Sequence, residues 1–371
     1  MTDAPSDEEL QELGLYDPAG AAAPQHLELL HFLISIGATR EDLLEYRNEL
    51  SALGTVVTAR PGTPRYTADE VIAKTGISED LLRRVWRAAG FADPEDGAVS
   101  FSDEDIETLQ LINGAGSLFG EEAVIQLSRV IGSSLARVAD AAVSSFLVNI
   151  EVPIVSREPQ QLAIAKANYA AASLLPGLSR AMDVLLRHHI LAARRSILAW
   201  KEAGVAGQEV QVLAVGFIDL VGSTGLSQRL SKGDLGRALE VFESYVSDAV
   251  VGRRGRVVKF IGDEAMFVAP QAAVACEIAL EIAGTFAAHD IVPPVRAGIA
   301  AGDVLTRDGD YFGPVVNLAA RAVKAAPPRS VVVPADLTET LAENGFKMSS
   351  LGAHDFEGFD ESVQLFAVTR A

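Results

Sequence analysis

The chain has 371 residues, with 50 acidic against 31 basic side chains and a formal charge of −19. That length suggests two domains, each able to bury its own core, and the charge disfavours phosphate backbones, so nucleic acid is not an expected partner. One cysteine, Cys276, excludes an internal disulfide or a cysteine zinc cluster, and on an apolar helical stretch it reads as a small buried hydrophobe.

The N-terminus, MTDAPSDEELQELGLYDPAG, is acidic and has neither a basic leader nor an apolar segment, and nowhere else do 18 apolar residues run together. The expectation is a cytoplasmic protein without a membrane span. Residues from about 25 to 200 carry helical periodicity between short breaks, as in HLELLHFLISIG, EEAVIQLSRVIGSSLARVADAAVSSFLV and LSRAMDVLLRHHILAARRSILAW, with no convincing strand. After GVAGQEV the texture changes. VQVLAVGFIDL reads as a strand, DLGRALEVFESYVSDAVVGR as a helix ended by Gly252, RVVKFIG and EAMFVAP as a tight hairpin, AAVACEIALEIAGTFAAH as a helix and PVRAGIAAGDVL as another strand. That order is β-α-β-β-α-β. The fold class expected is therefore α+β, a ferredoxin-like domain at 204–371 preceded by an all-α domain at 1–203, with a linker helix near 178–200.

The strand ending FIDLVGST delivers Asp219 at its C-terminal end, and Gly222, Ser223 and Thr224 turn the chain toward a helix start with free N–H groups, a phosphate cradle. The hairpin KFIGDEAMF delivers Asp263 at its bend. In a ferredoxin-like order the first and third strands can lie side by side, so the two carboxylates could share a hard cation such as Mg²⁺ above a substrate phosphate. Singly, each feature is ordinary: an Asp beside a Gly turn is turn chemistry, a Gly-Ser-Thr turn is a plain cap, and a strand lysine is solvated.

Together the stretches GFIDLVGST, KFIGDEAMFV, RAGIAAGDV, GDYFGPVVNLAAR and ESVQLFAVT resemble the class III nucleotidyl cyclases over about residues 209–370. The layout looks like soluble actinobacterial members that carry an N-terminal regulatory domain. The resemblance implies that Asp219 and Asp263, with the main-chain carbonyl of Leu220, bind two Mg²⁺ or Mn²⁺ ions. It further implies that Lys259 and Asp310 read adenine, and that Asn317 and Arg321 orient the ribose and stabilise the transition state. ATP would be cyclised to 3',5'-cyclic AMP with release of pyrophosphate. Each site would be shared between two chains of a homodimer, one giving the aspartates and the other the remaining four residues. No general base is assigned.

The chemistry agrees with these roles. A lysine can donate to adenine N1 and a carboxylate can accept from the exocyclic amine, whereas guanine presents the reverse pattern. Arg321 lies one helical turn beyond Asn317 and offers a planar fork to phosphate, although such a pair is also common on plain helix surfaces. A guanylate cyclase is the nearest alternative. A diguanylate cyclase needs Gly-Gly-Asp-Glu-Phe, a pattern that Ile261 and Ala265 break. A non-catalytic nucleotide sensor would have lost the acids or the arginine.

In the first half, residues 66–112 resemble the winged-helix modules of mercury-resistance-type regulators, with Arg83, Arg84 and Arg87 on the side that would face a groove; chain acidity argues for a packing role instead. Leu178, Met182, Leu185, His189, Ala193, Ile197 and Trp200 form one helical stripe. His188 and His189 on that helix are candidate pH-responsive regulatory residues, with His189 expected to be buried in the stripe. Stretches such as LINGAGSLFG also permit a hydrophobic ligand or a large surface between protomers.

Overall fold

The computed structural model describes residues 5–20, 22–157, 160–202, 210–222 and 231–371. The chain divides into two compact units, Met1–Arg195 and Ser196–Ala371.

The first unit is helical: α1 Asp7–Glu12, α2 Ala23–Ser35, α3 Arg40–Glu45, α4 Leu53–Ala59, α5 Ala68–Thr75, α6 Glu79–Ala88, α7 Asp103–Phe119, α8 Glu121–Phe146, α9 Val152–Arg157 and α10 Gln161–Ala172, followed by α11 Leu175–Glu202, within which the division falls. Reciprocal caps start four of them, Ser6 with Glu9, Thr39 with Asp42, Thr67 with Glu70 and Ser102 with Asp105, each satisfying amides that the first turn leaves open. Leu10, Leu29, Leu30, Leu33, Leu43 and Leu53 close one core with Ala165 of α10. Val71, Ile77, Leu81, Val85, Phe101 and Ile125 close a second around α5–α8. Between α5 and α6 Gly76 takes φ +69° and ends α5, the turn a helix-turn-helix needs. The only strand-like pairing among the described residues of this unit is the isolated bridge between Tyr66 and Phe101.

Among the described residues one helical stretch, 121–156, 36 residues joined through a π turn at Leu147–Glu151, is long and apolar enough to cross a membrane by length and composition only. Its Leu127, Ile131, Leu135 and Val148 are exposed.

The second unit contains an eight-stranded sheet: β1 Val210–Leu220, β2 Arg256–Ile261, β3 Glu264–Ala269, β4 Val295–Arg307, β5 Asp310–Phe312, β6 Val331–Pro334, β7 Phe346–His354 and β8 Val363–Arg370. Its helices are α12 Lys232–Gly252, α13 Ala272–Thr285, α14 Pro314–Ala325 and α15 Thr338–Glu343. The order β2-β3-β1-β4 is the ferredoxin-like core; β6, β8 and β7 extend it beyond β4, and β5 pairs with β4. β1 is buried on both faces, which is why it reads as a nearly continuous apolar run. Ile218 and Leu220 point to the face covered by α12 and α13, with Phe242, Phe267 and Ile299. Val215 and Phe217 point to the α14 face, with Met266, Val304 and Val323. Alternation therefore puts Asp219 on the α14 side. That helix sits on the sheet without padding: a Cβ at Gly298 would stand 2.2 Å from the Val323 nitrogen and 2.6 Å from the Ala319 carbonyl oxygen. Cys276 is fully buried, and burial pushes its thiol up to about 12.

Candidate active site

Register builds the first half of the site. β2 and β3 pair Ile261 with Glu264, leaving a two-residue turn in which Gly262 takes φ +64° and Asp263 forms the tip. The Leu220 amide donates to the Asp263 carbonyl at 3.2 Å, tying the end of β1 to that tip. Asp219 lies opposite Glu264 on β3 and opposite Arg296 on β4, so the three side chains share one face in a row. Asp219 Oδ2 accepts from Arg296 Nε at 2.8 Å and Nη2 at 2.6 Å, while Arg296 Nη1 donates to the Lys324 carbonyl at 3.1 Å.

Burial pushes the Asp219 carboxyl above its ordinary range; Arg296 pulls it down, and the neighbouring Asp263 carboxylate pushes it up again. Burial, then the Asp219 charge, raises Glu264 likewise, and its buried Oε1 has no hydrogen-bond partner. Among the described residues no group of three or more carboxylate, histidine or cysteine side chains is placed to hold a metal ion; two carboxylates with a carboxylate oxygen left over are within what Mg²⁺ uses beside a substrate phosphate. Leu220 is 2 % exposed, so only its backbone is available to a ligand. Gly222 takes φ +76°; Ser223 and Thr224 lie outside the described residues.

The second half converges from elsewhere. Lys259 Nζ on β2 bonds Asp310 Oδ2 on β5, 51 residues away, and both side chains are partly exposed. Arg256 supports β5 from the same strand, donating to the Gly309 carbonyl at 3.0 Å and lying 5.0 Å from the centre of the Tyr311 ring. A register shift between Val257 and Lys259 sets the direction of Lys259. Asn317 and Arg321 share the outer face of α14 and line an open cleft of about 570 Å³ with Lys324 and the Glu357–Asp360 loop. Arg321 Nη2 lies 3.8 Å from Glu357 Oε2. Asp219 and Asp263 are not among the cleft's walls.

Sequence reasoning missed Arg296 and Glu264. Glu264 stands beside Asp263 in the hairpin without a role assigned to it, and Arg296 has no signal beyond the strand register that places both opposite Asp219.

In the first unit His188 and His189 are both exposed on α11, as are Leu178 and Leu185, so among the described residues His189 is not buried as expected. Arg187 is paired with Asp183 at 2.9 Å. The three arginines of the helix-turn-helix are each held by carboxylates: Arg83 by Glu79 and Asp93, Arg84 by Asp80 and Glu122, Arg87 by Asp93. Charges so neutralised are poor phosphate readers.

Residues 5–193 match the family of adenylate cyclase regulatory domains, and residues 205–369 match the adenylate and guanylate cyclase catalytic domain. The adenylate cyclase of Streptomyces coelicolor is 36% identical over 280 residues, 75% of this chain and 72% of that protein. The chain belongs to the class III adenylate cyclases. An uncharacterized protein of Mycobacterium tuberculosis is 32% identical to this cyclase over 356 residues, 94% of this chain and 92% of that one. A pH-sensitive adenylate cyclase of the same species is 28% identical over 386 residues, covering 99% of this cyclase and 92% of its own length.

Proposed function

We propose that this cyclase converts ATP to 3',5'-cyclic AMP and pyrophosphate at two sites shared across a homodimer, under control of its N-terminal domain. The observation that carries the choice of ATP is the Lys259–Asp310 pair. Lys259 donates to adenine N1 and Asp310 accepts from the amine; guanine would leave both without a match. Asp219 and Asp263 hold Mg²⁺ or Mn²⁺, two per site, with the Leu220 carbonyl. Once bound, such ions acidify the ribose 3'-hydroxyl and neutralise phosphate charge. Asn317 orients the ribose, and Arg321 meets the charge that develops at the α-phosphate. Its exposed contact with Glu357 is weak enough to give way. Gly222, Ser223 and Thr224 cradle phosphate by backbone amides. A cleft that holds Asn317 and Arg321 but neither aspartate supports sites completed by a second chain.

Purified full-length protein given ATP or GTP with Mn²⁺ should make cyclic AMP alone; cyclic GTP-derived product at a comparable rate would defeat the adenine reading. Asp263→Ala and Asn317→Ala chains, silent separately, should recover activity when mixed.

We also propose that protonation near His188 and His189 shifts the equilibrium between an inhibited and an active dimer. Their placement on α11 and the pH-sensitive relative support this. Replacing both by glutamine in the full chain should flatten the pH profile.

A further inference from the structure

This inference rests on the cation reading above and concerns Arg296. Around the end of β1, Asp219 lies opposite Glu264 in the β1–β3 register, and Asp263, the residue before Glu264, has its carbonyl bonded to the Leu220 amide at 3.2 Å. Beyond burial, the Asp263 charge pushes Asp219 up, and the Asp219 and Asp263 charges push Glu264 up. Left alone they would repel, and Glu264 Oε1 already lacks a partner. Among the described residues Arg296 is the cation bonded to Asp219, and two of its nitrogens are spent on a single oxygen, Oδ2. Its third nitrogen is anchored on the Lys324 carbonyl at the end of α14, which fixes the guanidinium from a second side. Asp219 Oδ1 takes no part in that contact.

We propose that Arg296 is a positioning residue, a resident counter-ion that holds the carboxylate cluster together before a divalent cation binds and weakens that binding by standing beside it. Two effects follow from one charge. The cation-free site is preformed, because the carboxylates need not swing apart. The incoming ion meets a fixed positive neighbour only one carboxylate away, which lowers its affinity. A planar guanidinium can reach Asp219 and the helix end at once; a lysine keeps the charge while giving up that double anchor.

Mn²⁺ alone, without nucleotide, is titrated into the full chain and followed by the electron paramagnetic resonance of free Mn²⁺ and by thermal melting. Arg296→Gln is expected to bind Mn²⁺ about tenfold more tightly than the unaltered chain, a modest share of the repulsion between neighbouring charges. It should also melt lower without the ion and gain more on adding it. Arg296→Lys should keep an affinity near the original, because the charge is retained. Equal or weaker Mn²⁺ binding in Arg296→Gln overturns the proposal, as does a lysine variant that matches the glutamine one, since only packing would then be at stake. If Arg296→Gln folds only with Mn²⁺ present, that dependence supports the counter-ion role. Asp263→Asn separates the two readings. If it abolishes Mn²⁺ binding while Arg296→Gln changes nothing, the counter-ion role alone fails; if it binds Mn²⁺ as the unaltered chain does, the cation assignment fails too.

Discussion

In the amino-terminal unit Asp42 is almost fully buried, accepts from Arg60 at 2.5 Å and from the Thr39 amide at 2.8 Å, and ends below the ordinary carboxylate range although burial pushes it up. In the carboxyl-terminal unit Asp219 is nearly as buried and has an arginine at similar distance, yet it ends above that range. The residue type and the partner type are the same. The difference lies in how far burial is offset: at Asp42 the hydrogen bonds from Arg60 and Thr39 outweigh it, whereas at Asp219 burial leads, Arg296 only partly offsets it, and Asp263 adds to it. The first arrangement relieves a buried charge, whereas the second leaves it only partly relieved.

The largest effect expected from breaking that contrast is at Asp263. Asp263→Asn should lower cyclase activity on the order of 10²–10³-fold, while the cation-free protein becomes more stable by about 1 kcal/mol as repulsion is relieved. Activity assays paired with melting curves test both signs, and a joint fall in activity and stability would dissolve the comparison. Asp42→Asn should do the reverse, leaving activity chemistry untouched and destabilising the amino-terminal unit by about 3 kcal/mol in urea, because Arg60 is left partly buried without its partner. The sign with pH follows from the lowered folded value. Asp42's contribution is present above the unfolded carboxylate pKa and is lost as pH falls through the lower folded one, so the asparagine variant should lack that part of the acid unfolding limb. The smallest effect belongs to the surface. Arg84→Ala breaks exposed contacts to Asp80 and Glu122 and should leave the melting temperature unchanged; a marked drop would mean the helix-turn-helix depends on its ion pairs.

The strands that carry the site were legible because their signals are local. The apolar run of β1, the Gly-Asp turn between β2 and β3, and the small apolar residues that open β4 all announce themselves locally. β7 does not: Phe346–His354 alternates buried and exposed positions irregularly and holds Ser349 and Ser350 at its centre, because it is an outer strand of the sheet. Arg296 was hidden for another reason. Its partner is 77 positions away, and only the β1–β4 register brings the two together. His189 shows the converse limit, since a helical stripe gives the direction of a side chain but not what covers it.

Gly298 turns one missing side chain into a datum for the whole carboxyl-terminal unit. With backbone seated directly on backbone at this point, the approach of α14 to the sheet is held close, and the outer Asn317 and Arg321 stand at a set reach from it. The same helix end offers the Lys324 carbonyl to Arg296. Even one methyl group at 298 would act as a shim, tilting the outward pair and loosening the inward anchor in a single movement.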